Sequence, residues 1–146
     1  MNALAFSLPM PPSTNNMFAT DFRTKRRFMS KEYAAWRDEA VGLINLAWQQ
    51  NGHPAFLRHL SLTIHVGLTY VGDISNRIKA VEDAIGEAIP DFPNDRYFDR
   101  VVIERVPGLD GARVLIGQLA PPSARSIGEI IDPIMADIVG KVERAA

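Results

Sequence analysis

The sequence predicts a single α/β domain in which a mixed β-sheet has flanking helices, in the order β-α-β-α-β-β-α. Strand-like apolar runs occur at 3–8, 60–70, 98–106 and 112–118. Segments with apolar residues at helical spacing separate the first three runs, and another segment of this kind follows the last run. With 146 residues and a hydrophobic fraction of 47%, the chain is long enough to bury a core as one domain.

The N-terminal strand leads into a proline-rich loop. The strand at 3–8 ends at Pro9, and further prolines stiffen the segment before Ser13, because proline fixes φ and disfavours helix in the residue before it. The small polar residues that follow, among them Asn15 and Asn16, suit contacts with phosphate oxygens. The alternative is an ordinary surface loop.

A basic segment comes next, with five cationic side chains against one acid between Asp21 and Lys31. The whole chain has a net charge of −1, so this segment forms a local positive patch on a nearly neutral body. Its central residues Lys25, Arg26 and Arg27 are therefore candidates for binding phosphate groups.

The middle of the chain is predicted to contain a helix and the clearest strand in the sequence. Ser30 is a predicted N-cap for a helix that ends near Gln50. From Leu60 to Tyr70, apolar residues alternate with polar or small ones, which is typical of a strand with one buried face.

The stretch that follows this strand carries most of the candidate chemistry. Asp73 stands at the exit of the strand, and Ser75 or Asn76 is placed to cap a second helix. At helical spacing, Asn76, Lys79 and Asp83 share one face, and isoleucine and valine side chains occupy the opposite face. The alternative is that these polar residues belong to the solvated face of an ordinary surface helix.

A second acidic cluster, which includes Asp95, precedes the strand at 98–106. Two carboxylates at strand ends that are separated by one helix can converge in space, and carboxylate oxygens suit hard divalent cations. The residues therefore predict a divalent-metal site formed by the carboxylates at the two ends of this stretch.

The C-terminal part is predicted to contain a β-hairpin and a final helix. The hairpin joins the strands at 98–106 and 112–118 through the turn at 109–111. The final helix has isoleucines at three- and four-residue spacing and is interrupted at Pro133. We expect it to cover the sheet or to form a dimer contact.

Composition excludes several classes of function. The chain has no cysteine, so thiolate catalysis and zinc–thiolate sites are excluded, and its histidines lack metal-ligand spacing. No apolar run approaches the roughly 20 residues of a membrane span, and the N-terminus lacks a signal peptide's basic region. We therefore expect a cytoplasmic protein with no membrane partner.

The motifs together resemble those of the RusA-type Holliday-junction resolvases of bacteria and their phages. The loop LPMPPSTNNMF is similar to the family's Leu-Pro-x-Pro-Pro-Ser-x-Asn motif. The run DISNRIKAVEDAI, which begins at Asp73, resembles Asp-x-Asp-Asn-x-x-Lys-x-x-x-Asp-Ala-Leu. The run NDRYFD, which begins at Asn94, resembles Asp-Asp-x-Gln-Val-Asp. The resemblance covers roughly residues 4–118, and the three motifs occur in the family's order.

The resemblance implies a junction-resolvase domain at 1–119, with a C-terminal helical extension at 120–146. Family members are homodimers that bind four-way DNA junctions and nick paired strands symmetrically with magnesium or manganese. Carried over by position, Asp73 and Asp95 would bind the metal and Lys79 would be the catalytic lysine. On this reading, Asn15, Asn16, Lys25, Arg26, Arg27 and Asn76 are expected to contact DNA.

The chain departs from the family pattern at two acidic positions. Ser75 stands where the family has a second metal-binding aspartate, and Asn94 replaces the first acid of the second pair. A serine hydroxyl is a neutral and weaker ligand for magnesium. Another carboxylate (Asp83, Asp91 or Asp99) supplies the missing ligand, or Ser75 acts through a water molecule, or the protein binds junctions without cutting them well. We therefore include Asp83 and Ser75 among the expected metal-site residues.

The sequence thus predicts a Mg²⁺-dependent, structure-selective endodeoxyribonuclease that acts on branched DNA in recombination and repair. The first alternative is a non-catalytic junction-binding protein whose metal site is depleted at Ser75. The second is an unrelated α/β domain whose acidic residues are simply solvated.

Overall fold

The computed structural model describes residues 2–67, 72–94 and 98–122. They form a single small α/β domain, which confirms the predicted fold class. The domain has a mixed sheet of four strands, a separate sheet of two strands, and two helices. In chain order the elements are β1 (Ala3–Leu8), β2 (Phe18–Thr20), β3 (Arg27–Met29), α1 (Lys31–Gln50), β4 (Leu60–Val66), α2 (Ile78–Ala88), β5 (Phe98–Arg105) and β6 (Ala112–Gln118).

The main sheet has the order β1-β6-β4-β5. β4 is parallel to β5 and antiparallel to β6, and β6 is antiparallel to β1. The segment β4–α2–β5 is therefore a βαβ unit, in which α2 returns the chain to the end of the sheet where β4 begins.

Both helices belong to one apolar core, which includes the inner face of the sheet. α1 begins where the sequence predicts, because the Ser30 hydroxyl accepts a hydrogen bond from the Tyr33 amide at 3.2 Å. The inward residues of β4 are fully buried and alternate with partly exposed ones, as the predicted pattern requires. They form the core with buried residues of the other elements, among them Leu4, Phe6, Trp36, Ile44, Val81, Ile85, Val114 and Ile116.

The predicted hairpin of the last two strands is wrong, because β4 lies between β5 and β6. The connection between β5 and β6 instead passes over the end of β4. There the Gly67 amide donates a 2.9 Å hydrogen bond to the carbonyl of Gly111. A Cβ at Gly67 would lie 1.6 Å from the carbonyl oxygen of Leu109, so only glycine permits this crossing.

Replacing Gly67 by alanine is therefore expected to destabilise the fold strongly. The added methyl group forces the backbone of the crossing loop to move, and we expect a loss of about 3 kcal/mol or more in the free energy of unfolding. Urea denaturation of both proteins measures this difference.

The matched control is Gly86→Ala on the exposed face of α2, where a Cβ meets no atom within 4 Å. Alanine is the better helix former, so this change should stabilise the protein by up to about 1 kcal/mol. Equal midpoints for Gly67→Ala and the wild-type protein would contradict the crossing geometry.

The predicted C-terminal helix and its proposed role fall on residues 123–146, which lie outside the described residues. Within the part that the structure describes, no helix combines the length and apolar character needed to cross a bilayer.

Candidate functional site

The proline-rich loop is fastened to the domain at several points. The indole Nε1 of Trp36 donates a 3.0 Å hydrogen bond to the carbonyl of Pro9. Pro11 is fully buried, and Met17 at the far end of the loop is 1% exposed. Between these anchors, the chain makes a 3₁₀ turn over Thr14–Asn16, so its polar side chains are presented from a fixed backbone.

This loop contacts the turn that precedes α2. The Thr14 hydroxyl donates a 2.7 Å hydrogen bond to the carbonyl of Asn76, which is 62 positions later in the chain. The guanidinium of Arg77 donates a hydrogen bond back to the carbonyl of Pro11. The first two sequence motifs therefore lie side by side, with Asn15 and Asn16 exposed at the surface.

Asp73 and Ser75 form a compact polar unit at the start of this turn. Oδ1 of Asp73 accepts hydrogen bonds from the Ser75 hydroxyl at 2.5 Å and from the Ser75 amide at 2.9 Å. Residues Ser75–Arg77 form a 3₁₀ turn, and α2 begins after them without a side-chain cap. The prediction that Ser75 or Asn76 caps α2 is therefore wrong. The carboxylate of Asp73 accepts the hydrogen bond from the Ser75 amide, and the Ser75 hydroxyl donates a hydrogen bond to Asp73 instead of capping the helix.

The hydrogen bonds from the Ser75 hydroxyl and amide hold the pKa of Asp73 below its usual value. Like any aspartate whose pKa is not raised, the carboxyl is ionised throughout the neutral range. The side chain is also exposed. Asp73 is therefore an available hard oxygen ligand, and a divalent cation would not have to displace a proton from it.

Lys79 lies on the first turn of α2 and pairs with Asp83. The Nζ of Lys79 is 2.9 Å from Oδ1 of Asp83, and both side chains are partly exposed. On the α1 side, burial raises the pKa of the Tyr33 hydroxyl, and the nearby Asp83 charge raises it further. Asp83 is thus placed to orient the ammonium group of Lys79 beside the contact between α1 and α2.

A two-stranded hairpin carries the basic segment, for which the sequence predicts no strand. β2 and β3 pair through Phe18 with Met29, Ala19 with Phe28 and Thr20 with Arg27. Lys25, Arg26 and Arg27 are all exposed. The Arg27 guanidinium lies 4.3 Å from the centre of the Phe18 ring, which in turn contacts Tyr33 on α1 with ring centres 6.0 Å apart.

The hairpin is joined to the proline-rich loop at its base. The Ser30 hydroxyl donates a 2.7 Å hydrogen bond to the carbonyl of Asn16, and the Ser30 amide donates one of 2.9 Å to the carbonyl of Met17. Through the bond from Thr14 to Asn76, the basic hairpin, the polar loop and the Asp73 turn are linked in one continuous surface region.

The sequence did not single out three exposed aromatic side chains on this hairpin, Phe18, Phe22 and Phe28. The sequence does contain a signal for such a side chain, namely a phenylalanine within a run of charged residues. Because that run has no apolar periodicity, the phenylalanine is not predicted to enter a core.

Asp95 lies outside the described residues, and the sheet fixes where its described neighbours are. Phe98 pairs with Leu60 at the end of the sheet where β4 begins, and the ring of Phe92 packs against that of Phe98 with centres 5.9 Å apart. Gly72 lies at the opposite end of the sheet, where its carbonyl accepts a 2.5 Å hydrogen bond from Arg105 at the end of β5. Gly72, which precedes the second motif, and Phe98 of the third motif therefore lie at opposite ends of β5.

Within residues 2–67, 72–94 and 98–122, no three histidine, aspartate or glutamate side chains are grouped as a metal site. Among the predicted site residues, Asp73 contacts Ser75 directly, and Lys79 contacts Asp83. No protein-family model matches the chain, and no curated protein matches it either.

Proposed function

We propose that this chain is a metal-dependent, structure-selective endodeoxyribonuclease of the RusA type, which resolves four-way DNA junctions by paired symmetric nicks in recombination and repair. The observation that carries the proposal is the hydrogen bond from Thr14 to Asn76. It brings the polar loop of the first motif beside the Asp73 turn of the second, next to an exposed basic hairpin. A surface with an ionised carboxylate, an ammonium group and several guanidinium groups suits a phosphodiester substrate.

Each residue of this surface has a role in the proposal. Asp73 is a metal ligand whose carboxylate is oriented by hydrogen bonds from the Ser75 hydroxyl and amide. Lys79, held by Asp83, places positive charge at the scissile phosphate or protonates the leaving oxygen. Magnesium or manganese, when bound, supplies an activated water and further positive charge. Asn15, Asn16 and Asn76 contact the DNA backbone beside the cut.

In this proposal Asp95, which lies outside the described residues, is a second metal ligand. The active form is a two-fold homodimer, which provides one site for each of the paired nicks.

The basic hairpin is expected to supply salt-dependent affinity. Replacing Lys25, Arg26 and Arg27 together by glutamine should weaken binding to every DNA substrate. Each lost phosphate contact should reduce the slope of log affinity against log salt by roughly one unit. Fluorescence anisotropy with a labelled duplex at several salt concentrations measures this slope.

The control replaces two exposed cations outside the hairpin, Arg58 and Arg113, by glutamine. That variant should keep the wild-type slope. A hairpin variant with an unchanged slope would show that this segment does not contact DNA.

The residue at position 75 favours a second candidate function, a junction-binding protein that does not cut. The family has a second carboxylate at this position, whereas Ser75 is neutral and its hydroxyl donates a hydrogen bond to Asp73. A depleted site of this kind binds a divalent cation more weakly.

One experiment separates the candidates. A synthetic four-way junction and a duplex of matched sequence are incubated with the protein, with and without Mg²⁺. Nicks in the junction that need Mg²⁺ support the nuclease, and a retarded but uncut junction supports the binding protein. A protein that neither retards nor cuts the junction would overturn both proposals.

A further inference from the structure

The turn that joins β2 to β3 holds a phenylalanine ring almost entirely in solvent. Phe22 is 94% exposed, and Phe28 on β3 is 50% exposed. Because side chains alternate between the faces of a strand, Phe28 lies on the face opposite Arg27, whose guanidinium covers the Phe18 ring on the α1 side. The hairpin therefore packs one partly exposed ring, Phe18, against Tyr33 of the domain and presents two more exposed rings to solvent.

Hydrogen bonds centred on Asp21 fix the shape of this turn. The Asp21 carboxylate accepts a 2.9 Å hydrogen bond from the Arg23 amide, and its carbonyl accepts one of 2.7 Å from the Lys25 amide. The Asp21 amide donates a 2.9 Å bond to the carbonyl of Arg26, which closes the turn. Lys25 adopts a left-handed backbone with φ of 56°. Phe22 is thus displayed by a defined backbone.

The surroundings of the exposed ring are cationic. Arg23, Lys25 and Arg26 lie in the same turn and are exposed. The one acid of the segment, Asp21, is engaged with the amides of the turn, which lower the pKa of its carboxyl. A ligand that matches this tip therefore combines negative charge with an accessible flat apolar surface.

We propose that the 21–28 hairpin is a base-stacking site, in which Phe22 packs on an unpaired nucleobase while Lys25 and Arg26 contact the adjacent phosphates. Bases in continuous duplex are stacked on one another, so the ring can reach them only at a branch point, in a gap or in single strands. The hairpin thereby makes the protein prefer DNA with unstacked bases over a fully paired duplex.

The inference rests on the proposed function in taking DNA as the ligand. An aromatic ring among cations also suits an anionic membrane surface. DNA is favoured because the base of the hairpin is hydrogen-bonded to the polar loop, which is bonded in turn to the Asp73 turn. One DNA molecule can therefore contact both the tip of the hairpin and the carboxylate of Asp73.

The test compares Phe22→Ala with the wild-type protein by fluorescence anisotropy in Mg²⁺-free buffer at one fixed salt concentration. The probes are a thymine oligonucleotide, a four-way junction and a duplex of matched length. We expect Phe22→Ala to bind the single strand and the junction about tenfold more weakly, with duplex affinity unchanged within about twofold. Phe22→Trp should restore the preference, because the indole ring also stacks on bases.

The control is Phe22→Leu, which keeps an apolar side chain without an aromatic face and should behave like Phe22→Ala. Because Phe22 is exposed, all these variants should have the urea midpoint of the wild-type protein. Equal losses on all three probes, or no loss on any, would overturn the inference. So would binding to phosphatidylserine vesicles that depends on Phe22 while DNA binding does not.

Cleavage of the junction is measured separately with the same preparations in Mg²⁺. A wild-type protein that cuts the junction, with a Phe22→Ala variant of unchanged preference, overturns the stacking site and leaves the nuclease standing. A wild-type protein that never cuts, with a single-strand preference that Phe22→Ala abolishes, supports the stacking site and overturns the nuclease.

Discussion

The Asp73→Asn protein is expected to bind four-way junctions at least as tightly as the wild-type protein and to leave them uncut. Losing a group that only orients a metal ligand commonly costs 10- to 100-fold in activity. Losing the ligand itself should therefore reduce the cleavage rate by more than about a hundredfold. Binding should hold or improve, because removing the carboxylate lowers its repulsion of the phosphates. Single-turnover cleavage and anisotropy on one junction measure the two quantities.

The control for this substitution is Asp38→Asn, which removes an exposed carboxylate on α1. It should cut and bind as the wild-type protein does. If Asp73→Asn nicks junctions at the wild-type rate, Asp73 is not part of the cutting site.

The second large effect is expected at Lys79. Replacing it by methionine removes the ammonium group that α2 presents beside Asp83, and the cleavage rate should fall by about a hundredfold to a thousandfold, as for other groups that stabilise transition-state charge. Because the ion pair with Asp83 is partly exposed, its loss should change the free energy of unfolding by less than about 1 kcal/mol. Junction affinity should change little, since Lys79 is one cation among several.

Rates at saturating protein separate cleavage from binding in this experiment. The matched control is Arg58→Met, which also removes one exposed cation, at a position just before β4 and away from the Asp73 turn. This variant should cut the junction at the wild-type rate. A Lys79→Met protein whose rate stays within about threefold of the wild-type rate would contradict the role of Lys79 in the chemistry.

The main elements could be predicted because their residues carry local signals. Alternation with a fully buried face defines β4, and the Ser30 cap fixes the start of α1. The hairpin β2–β3 could not be predicted in this way. Its strands are short and mostly exposed, and Asp21 and the packing of Phe18 on Tyr33 hold it in place. A run of charged residues without apolar periodicity therefore predicts a loop.

Sheet order and site geometry depend on contacts distant in sequence. Adjacent strands with a turn between them favour a hairpin, but β4 separates β5 from β6 because Gly67 lets the connection cross over it. The contact between Thr14 and Asn76 has no periodic signal in the sequence. The order of the motifs suggests that they act together, and the hydrogen bonds from Thr14 and Arg77 show how the first two meet.

The positions of the cuts on a synthetic four-way junction test the proposed function most directly. Each strand is labelled in turn, and the products formed with Mg²⁺ are resolved at single-nucleotide resolution beside those from a matched duplex. The proposal predicts cuts at equivalent positions in two opposing strands, absent with a chelator and absent from the duplex. Intact strands in a junction that the protein demonstrably binds, or cuts spread equally over junction and duplex, would contradict it.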